Sequence, residues 1–414
     1  MSQKPSHGLQ IVDASEVGMS ADRLTNLDKH FKKYVDENLL SGWAVTVARE
    51  GKVAHSASGG LADRESSKPI ADDTIYRIFS MTKPITAVAA LMLWEEGLFE
   101  LTDPVSKFIP EFGESKVFEG GSFLRPVLGP QTKPMQMWHL FTHTAGLTYG
   151  FMYQHPVDEL YRRAGLEWGF PRELDLAGVC SLLARQPLLF QPGSEWNYST
   201  SIDVLGRVVE VISGQRLGDF LKQRIFTPLG MSDTAFYCPD EKHDRLAALY
   251  SAHPRTRLAI RADAVDRGSQ KMPAADGGGG GLVSTMGDYV RFAEMLRGGG
   301  ELNGQRLLSP RTVEYMGSNH LPEDADLTEF GRPLGAANDY DGIGFGLGVS
   351  VTIDPVATKT AGSFGDFGWG GAAATFYWVD PIEDLTVTFM TQLMMSPHTF
   401  SRQLKQLVHQ ALVD

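Results

Sequence analysis

The two ends of the chain carry the strongest β-strand patterns, and this most constrains how it can fold. Near the N-terminus, residues 43–49 and 53–58 are β-prone runs separated by a polar turn. Near the C-terminus, residues 373–379 and 385–391 flank another turn-rich segment. Each pair predicts an antiparallel hairpin. The simplest way to bury both hairpins is a single sheet built from the two ends of the chain.

Helical patterns fill the region between the hairpins and flank them. Apolar residues recur at helical spacing in residues 85–96, 202–213 and 217–226. The same spacing predicts a first helix within residues 20–40 and a last helix that includes Phe400. The last helix is expected to cover the sheet. The sequence therefore predicts an α+β fold, an antiparallel sheet flanked by helices with an inserted, mostly helical domain.

The length of the chain favours two structural units. It has 414 residues, more than the roughly 250 to 300 at which one hydrophobic core stops growing. We expect a sheet domain formed by residues 1–85 and 275–414 and a helical domain formed by residues 86–274. The active-site cleft is expected between the two domains, because ligand sites prefer such junctions.

Composition and charge exclude several classes of partner. The 38 Lys and Arg residues against 50 Asp and Glu give a net charge of −12, which disfavours nucleic-acid binding. The best apolar run, residues 87–94, is too short to span a membrane, and the first 17 residues lack the apolar core of a secretory signal. Cys180 and Cys238 are too few and too far apart for a disulfide scaffold. We expect a cytoplasmic protein with no membrane partner.

A candidate nucleophile stands just before the first central helix. Ser80 and Lys83 are three residues apart, and Pro84 fits the first helical turn, where its missing N–H is not needed. Residues three apart share a helix face, so the lysine nitrogen can reach the serine hydroxyl. Serine becomes a nucleophile when a neighbour accepts its proton. On this motif alone, a helix-capping serine followed by a solvated lysine is the simpler interpretation.

Two later motifs could complete a reaction centre. Tyr198 lies in a turn-rich loop before a predicted helix, where a phenol beside a lysine can relay protons. Residues 369–372, Trp-Gly-Gly-Ala, open the penultimate predicted strand, and paired glycines there permit close approach of a ligand. Taken singly, Tyr198 could be a packing tyrosine, Trp369 a half-buried surface aromatic and the glycines a bulge.

Together these three motifs resemble the serine β-lactamase and penicillin-binding-protein superfamily, specifically the class C-like esterases called family VIII carboxylesterases. The matching motifs are Ser-Met-Thr-Lys at residues 80–83, Tyr-Ser-Thr at 198–200 and Trp-Gly-Gly at 369–371. Residues 139–147, 228–231 and 279–285 are similar to the same superfamily, and the resemblance covers nearly the whole chain. It implies a β-lactamase/transpeptidase-like fold and a serine hydrolase that needs no metal or other cofactor.

The resemblance also implies roles for individual residues. Ser80 would be the acylated nucleophile, with Lys83 and Tyr198 as general base and acid. The backbone N–H groups of Ser80 and Ala372 would form the oxyanion hole. Trp369, Gly370, Gly371 and Thr200 would contact the substrate.

Two departures from the β-lactamase pattern favour esters over β-lactams. Thr200 replaces the asparagine of Tyr-x-Asn, and residues 369–371 replace Lys-Thr-Gly. The lost amide and ammonium groups would hold the amide and carboxylate of a β-lactam. Uncharged Trp369 is expected to pack against an alkyl or aryl group instead. We therefore expect a carboxylesterase for small, neutral, short-chain esters, with weak opening of cephalosporins possible in principle.

Three alternatives to an esterase remain at this stage. A β-lactamase or D-peptidase and an acyltransferase use the same fold. A non-catalytic sensor that accepts one acyl group and stops is a different class of protein. A burst of product without turnover would identify the sensor.

Two further patterns are interpreted as structural. His139 and His143 are four residues apart on a predicted helix closed by Gly146, but no glutamate follows His139 as in a His-Glu-x-x-His metal site. The glycine run 277–281 is not followed by Gly-Lys-Ser/Thr, so it is interpreted as a turn rather than a phosphate loop.

Overall fold

One large antiparallel sheet organises the molecule. The computed structural model describes residues 8–265, 268–332 and 340–414. Its strands are β1 (Gly42–Arg49), β2 (Lys52–Asp63), β3 (Lys68–Pro69), β4 (Ile75–Arg77), β5 (Lys116–Ser122), β6 (Arg125–Pro130), β7 (Tyr250–Ala252), β8 (Ala259–Arg261), β9 (Val283–Thr285), β10 (Glu301–Leu302), β11 (Gln305–Arg306), β12 (Ile343–Phe345), β13 (Ser350–Thr352), β14 (Phe367–Gly370), β15 (Phe376–Asp380), β16 (Leu385–Met390) and β17 (Leu393–Met394).

The main sheet joins the two ends of the chain, as the sequence predicted. Its strand order is β12-β13-β14-β15-β16-β1-β2-β3, and each neighbouring pair is antiparallel. At its centre β1 pairs with β16, with Val47 opposite Val387. All residues of both central strands are buried, because helices cover both faces of the sheet.

The α-helices cover the sheet and form the region between the hairpins. They are α1 (Ala21–Asp36), α2 (Thr82–Glu95), α3 (Met137–Phe141), α4 (Pro156–Arg163), α5 (Leu176–Ala184), α6 (Ser201–Ser213), α7 (Leu217–Leu221), α8 (Thr227–Leu229), α9 (Met286–Arg297), α10 (Pro310–Met316), α11 (Leu327–Phe330) and α12 (Phe400–His409). Among the helices in the described ranges, none combines the length and apolar character needed to cross a bilayer.

The first and last helices pack together on one face of the sheet. α1 begins after Ser20, whose hydroxyl accepts a hydrogen bond from the Arg23 N–H at 3.4 Å. From α1 the Phe31 ring contacts Phe389 of β16, with ring centroids 4.6 Å apart, and Phe400 of α12 at 5.6 Å. These contacts confirm that the last helix covers the sheet, as predicted, and show that α1 packs on the same face.

Helix α2 differs from its prediction. The spacing in residues 85–96 indicates one apolar face, but residues 82–93 are buried on every side. The physical reason is that α6 and α7 also pack against α2, so no polar face is needed. Lys83 lies in this buried stretch. α2 also continues across the boundary placed at residue 85, and the division into two domains stays a prediction.

The Trp-Gly-Gly motif lies on a different strand from the one predicted. Trp369 and Gly370 end β14 instead of opening β15. A tight turn separates the two strands, because Gly371 N–H donates to Thr375 O at 2.9 Å and Ala374 N–H donates to Gly371 O at 3.0 Å. The sequence pattern alone could not separate a short strand and a turn from one long strand.

Candidate active site

An open cleft of 1440 Å³ brings together the three sequence motifs. Ser80, Tyr198 and Ala372 all line it, although they lie on three distant parts of the chain. Ser80 is half-buried, so its hydroxyl can be reached from the cleft.

Ser80 lies in a 3-10 turn that joins strand β4 to helix α2. The turn covers Phe79–Met81, so Ser80 precedes the α-helix rather than starting it. Phe79 has a φ of 43°, which is uncommon for a bulky side chain. Such backbone strain persists only where neighbouring structure enforces it, and it concentrates at functional sites. Here the pairing of β4 with β9 holds the turn in place.

The Ser80 hydroxyl contacts both residues that the sequence proposed as its proton carriers. Tyr198 Oη donates to Ser80 Oγ at 2.6 Å, and Lys83 Nζ donates to the same oxygen at 3.2 Å. Tyr198 reaches this position from the loop that precedes α6. A nucleophilic oxygen within hydrogen-bond distance of two proton carriers is the geometry needed for covalent catalysis.

Lys83 is enclosed by groups that hold its amine in place. Its side chain is 1% exposed, and Nζ donates to Gly279 O at 2.5 Å. The nitrogen also lies 4.5 Å from the ring centroid of Tyr198 and 5.3 Å from that of Tyr149. The glycine run 277–281 is a turn, as predicted, but its contribution of a carbonyl to the lysine was missed. The unbroken run of glycines was the one sequence feature that could have pointed to this contact.

Asp203 is a second residue that the sequence reasoning missed. It is 3% exposed, and its Oδ1 accepts a hydrogen bond from Gly279 N–H at 2.8 Å. Burial raises the pKa of Asp203 to about 6, although the nearby Lys83 ammonium and the Gly279 N–H oppose the shift. A Cβ on Gly279 would lie 2.5 Å from Asp203 Oδ2, which explains the glycine. A carboxylate in the first turn of the otherwise apolar start of α6 was the feature that could have pointed to it.

Trp369 is more buried than the sequence interpretation assumed. It is 6% exposed, and its indole Nε1–H donates to Tyr198 Oη at 3.3 Å. The ring packs between Tyr198 and Phe345, with centroids 5.5 Å and 5.3 Å away. Trp369 therefore presents only a small part of its surface to the cleft, and its polar contact is with the phenol beside Ser80.

The proposed oxyanion-hole residues lie on the cleft wall. Ala372 is exposed in the turn after β14, and its N–H has no protein acceptor among the described residues. A Cβ on Gly371 would lie 2.4 Å from Ile78 O, so glycine allows this turn to approach the segment that carries Ser80. Gly370, just before the turn, packs on Phe376.

Thr200 lines the cleft but exposes little of its surface. It is 2% exposed and stands at the N-cap position of α6. Its contribution to substrate contact stays a prediction.

A family comparison agrees with this geometry. The family model described as Beta-lactamase matches residues 27–411. This chain belongs to the β-lactamase family. The match covers both the sheet and the helical region, and the predicted α+β fold with its antiparallel sheet is confirmed.

Similar proteins place the chain with the esterase branch of this family. Esterase EstB of Burkholderia gladioli is 32% identical over 378 residues, covering 90% of this chain and 91% of EstB. Lovastatin esterase of Penicillium rubens is 30% identical over 371 residues, covering 86% and 89%. The solved structure of EstCE1, described as a hydrolase with promiscuous acyltransferase activity, has a TM-score of 0.77 and 28% identity, covering 94% and 98%. The resemblance to family VIII carboxylesterases is confirmed.

His139 and His143, the two histidines singled out in the sequence, are buried, and burial lowers the pKa of both. His143 contacts the Tyr198 ring at 4.9 Å, its Nδ1 lies 3.0 Å from Ser199 Oγ, and its pKa is well below 6.5. The pKa of His139 is lowered to about 4, and its Nδ1 accepts from Gln136 N–H. Both rings are therefore neutral at pH 7. The predicted helix through His143 to Gly146 was wrong, because α3 ends at Phe141.

Replacing the indole of Trp369 with a phenyl ring tests its contact with Tyr198. We expect Trp369→Phe to lower kcat about tenfold, because the hydrogen bond to the reacting phenol is lost together with part of the ring packing. Steady-state hydrolysis of p-nitrophenyl butyrate measures the effect. Trp94→Phe, at the far end of α2, is the matched control and should change kcat less than about twofold. An unchanged kcat in Trp369→Phe would show that the contact is unimportant.

Proposed function

We propose that this chain is a serine carboxylesterase that hydrolyses neutral, short-chain carboxylic esters through an acyl-enzyme on Ser80. The observation that carries the proposal is the pair of hydrogen bonds from Tyr198 and Lys83 to Ser80 Oγ. Its similarity to EstB and lovastatin esterase supports an ester as the substrate.

Acylation uses the groups around Ser80. Its Oγ attacks the ester carbonyl carbon while the Lys83 and Tyr198 pair accepts the hydroxyl proton. The negative carbonyl oxygen of the tetrahedral intermediate is stabilised by the N–H groups of Ser80 and Ala372. The intermediate then collapses as the carbon–oxygen bond to the alcohol breaks, and the pair returns the proton to the departing alkoxide.

Deacylation repeats these steps with water as the nucleophile. The same pair accepts a proton from water, which attacks the acyl carbon, and the carboxylic acid leaves as Ser80 regains its proton. Trp369 N–H and the Gly279 carbonyl hold Tyr198 and Lys83 in position during both halves. No cofactor takes part in these proposed steps.

Acyl transfer is the second candidate, and one observation favours it. EstCE1 is described as a hydrolase with promiscuous acyltransferase activity. An open cleft of 1440 Å³ leaves room for an alcohol to take the place of water in deacylation. We propose hydrolysis as the main reaction, because water is always present as an acceptor.

The proposal also covers the cellular location of the protein and its partners. Cys180 and Cys238 are buried and unpaired, which supports a reducing compartment such as the cytoplasm. The partner we propose is a small-molecule ester, without nucleic acid or membrane.

A substrate panel separates the proposed esterase from a β-lactamase. We expect kcat/KM for p-nitrophenyl butyrate to exceed that for ampicillin by at least about tenfold, because Trp369 offers no cation to the ampicillin carboxylate. Nitrocefin, a reactive cephalosporin, is expected between the two. All three are assayed in one buffer. If ampicillin equals or exceeds the butyrate ester, a β-lactamase replaces the esterase.

A further inference from the structure

The cleft is much larger than a short-chain ester requires. Pockets for drug-sized ligands are typically about 300–1,000 Å³, and this cleft measures 1440 Å³. A substrate that fills the cleft must therefore carry a group that extends well beyond its reacting carbonyl. The side of the cleft that this group occupies can be inferred from the positions of its aromatic residues.

Three stacked aromatic rings, here called the aromatic wall, line the cleft beside the catalytic phenol. They are Tyr149, Phe151 and Trp168. Tyr149 and Phe151 stack with centroids 4.7 Å apart and an interplanar angle of 18°, and Phe151 stacks on Trp168 at 4.7 Å and 17°. Tyr149 lies next to Tyr198, at 5.4 Å between centroids. The row of rings therefore leads from the reaction centre to solvent, where Trp168 is 38% exposed.

Two packed loops hold the aromatic wall in shape. Tyr149 and Phe151 belong to the segment around the 3-10 turn Gly150–Met152, and Trp168 belongs to the loop between α4 and α5. A Cβ on Gly150 would lie 2.6 Å from Leu166 O, so the loops are in close contact. Arg162 also donates to Gly150 O at 2.5 Å. Because the wall is already ordered before a ligand binds, binding does not carry the entropic cost of ordering these side chains and loops.

The direction of proton transfer decides which half of an ester faces this wall. The leaving alkoxide must receive its proton from the pair that contains Tyr198, so the alcohol leaves on the Tyr198 side. The carbonyl oxygen must instead point to the N–H of Ala372 in the turn after β14. Because Tyr149 adjoins Tyr198, the aromatic wall begins where the alcohol half of the ester lies.

We propose that the aromatic wall binds the alcohol half of the substrate, and that this half is a bulky, flat and uncharged apolar group. The inference rests on the proposed ester hydrolysis and extends it to a substrate class. Two charged residues that adjoin the wall, Arg162 and Glu167, already have partners. Arg162 bonds Gly150 O and pairs with Glu159, and Glu167 accepts a hydrogen bond from Tyr153. The wall itself therefore offers apolar surface rather than a counter-ion.

Esters with one acyl group and two alcohols test the proposal. Ethyl acetate and 2-naphthylmethyl acetate share the acetyl group and both release a primary alcohol. We expect Trp168→Ala to lower kcat/KM for 2-naphthylmethyl acetate about tenfold and to change that for ethyl acetate less than about twofold. Tyr315→Ala, an exposed aromatic residue on α10, is the matched control and should affect neither ester.

A third ester and a binding assay identify each way in which the proposal could fail. Methyl 2-naphthylacetate carries the same ring on its acyl side, and its hydrolysis should be insensitive to Trp168→Ala. If Trp168→Ala lowers kcat/KM selectively for this ester, or lowers it equally for all three esters, the assignment of the wall to the alcohol half is overturned. Calorimetric titration with 2-naphthylmethanol needs no turnover. Wild type should bind it about tenfold more tightly than Trp168→Ala, and equal binding overturns the proposal even if the protein hydrolyses no ester.

Discussion

We expect that changing Ser80 or Lys83 to alanine will lower kcat for a neutral ester by more than about 10⁴-fold and leave the fold intact. The expected loss is this large because the nucleophile and its proton carriers work as one unit, so removing either member disables the whole unit. Hydrolysis of p-nitrophenyl butyrate measures turnover, and circular dichroism with thermal unfolding checks the fold. For the same reason, the double variant should be hardly slower than either single variant.

Ser350→Ala is the matched control for the serine change. Ser350 lines the same cleft, but its hydroxyl donates to Gly368 O and is not in contact with Lys83 or Tyr198 in the described structure. We expect its kcat to stay within about threefold of wild type. A Ser80→Ala protein that keeps more than a few per cent of activity, with contaminating esterase excluded, would contradict the assignment of the nucleophile.

Neutralising Asp203 shifts the pH dependence of the reaction. In wild type we expect the rate to rise on the alkaline side of neutrality, because a Lys and Tyr pair must supply a deprotonated member. With its pKa at about 6, Asp203 is mostly ionised at pH 7 and places a negative charge near Lys83. Asp203→Asn removes this negative charge and should move the alkaline limb of kcat/KM to lower pH by roughly one unit.

Thermal unfolding gives an independent test of the raised pKa of Asp203. Its folded-state pKa is raised above the unfolded value, so ionisation costs stability as pH rises from about 4 through 6. Asp203→Asn should therefore unfold at a higher temperature than wild type at pH 7.5, and the difference should shrink toward pH 4.5.

Asp288→Asn is the control for the activity profile, because Asp288 is a buried carboxylate on α9 whose pKa is also raised. An unshifted alkaline limb in Asp203→Asn would show that the charge of Asp203 does not influence the Lys83 and Tyr198 pair.

Local sequence patterns were enough to predict the main sheet and the contact between Ser80 and Lys83. Alternating and β-branched residues predicted the hairpins at both ends, because strand patterns depend on near neighbours. The contact between Ser80 and Lys83 was likewise predictable, since residues three apart share a helical face. The family resemblance added Tyr198, whose contact with Ser80 no local pattern could predict.

The remaining parts of the site depend on contacts between distant residues. Lys83 and the Gly279 carbonyl are 196 residues apart, and Trp369 and Tyr198 are 171 apart. No local period predicts that a glycine turn will face a buried lysine, or that an indole N–H will reach a phenol. For the same reason the contact of the Trp369 N–H with Tyr198 was missed, and the contact of Trp369 with substrate stays a prediction.

Active-site labelling tests the central claim most directly. A fluorophosphonate reacts with an activated serine and adds a fixed mass, which intact-mass spectrometry counts and peptide mapping locates. We expect one adduct per wild-type chain, located on Ser80, and none on Ser80→Ala. Labelling at any other serine, or equal labelling of wild type and Ser80→Ala, would contradict the account.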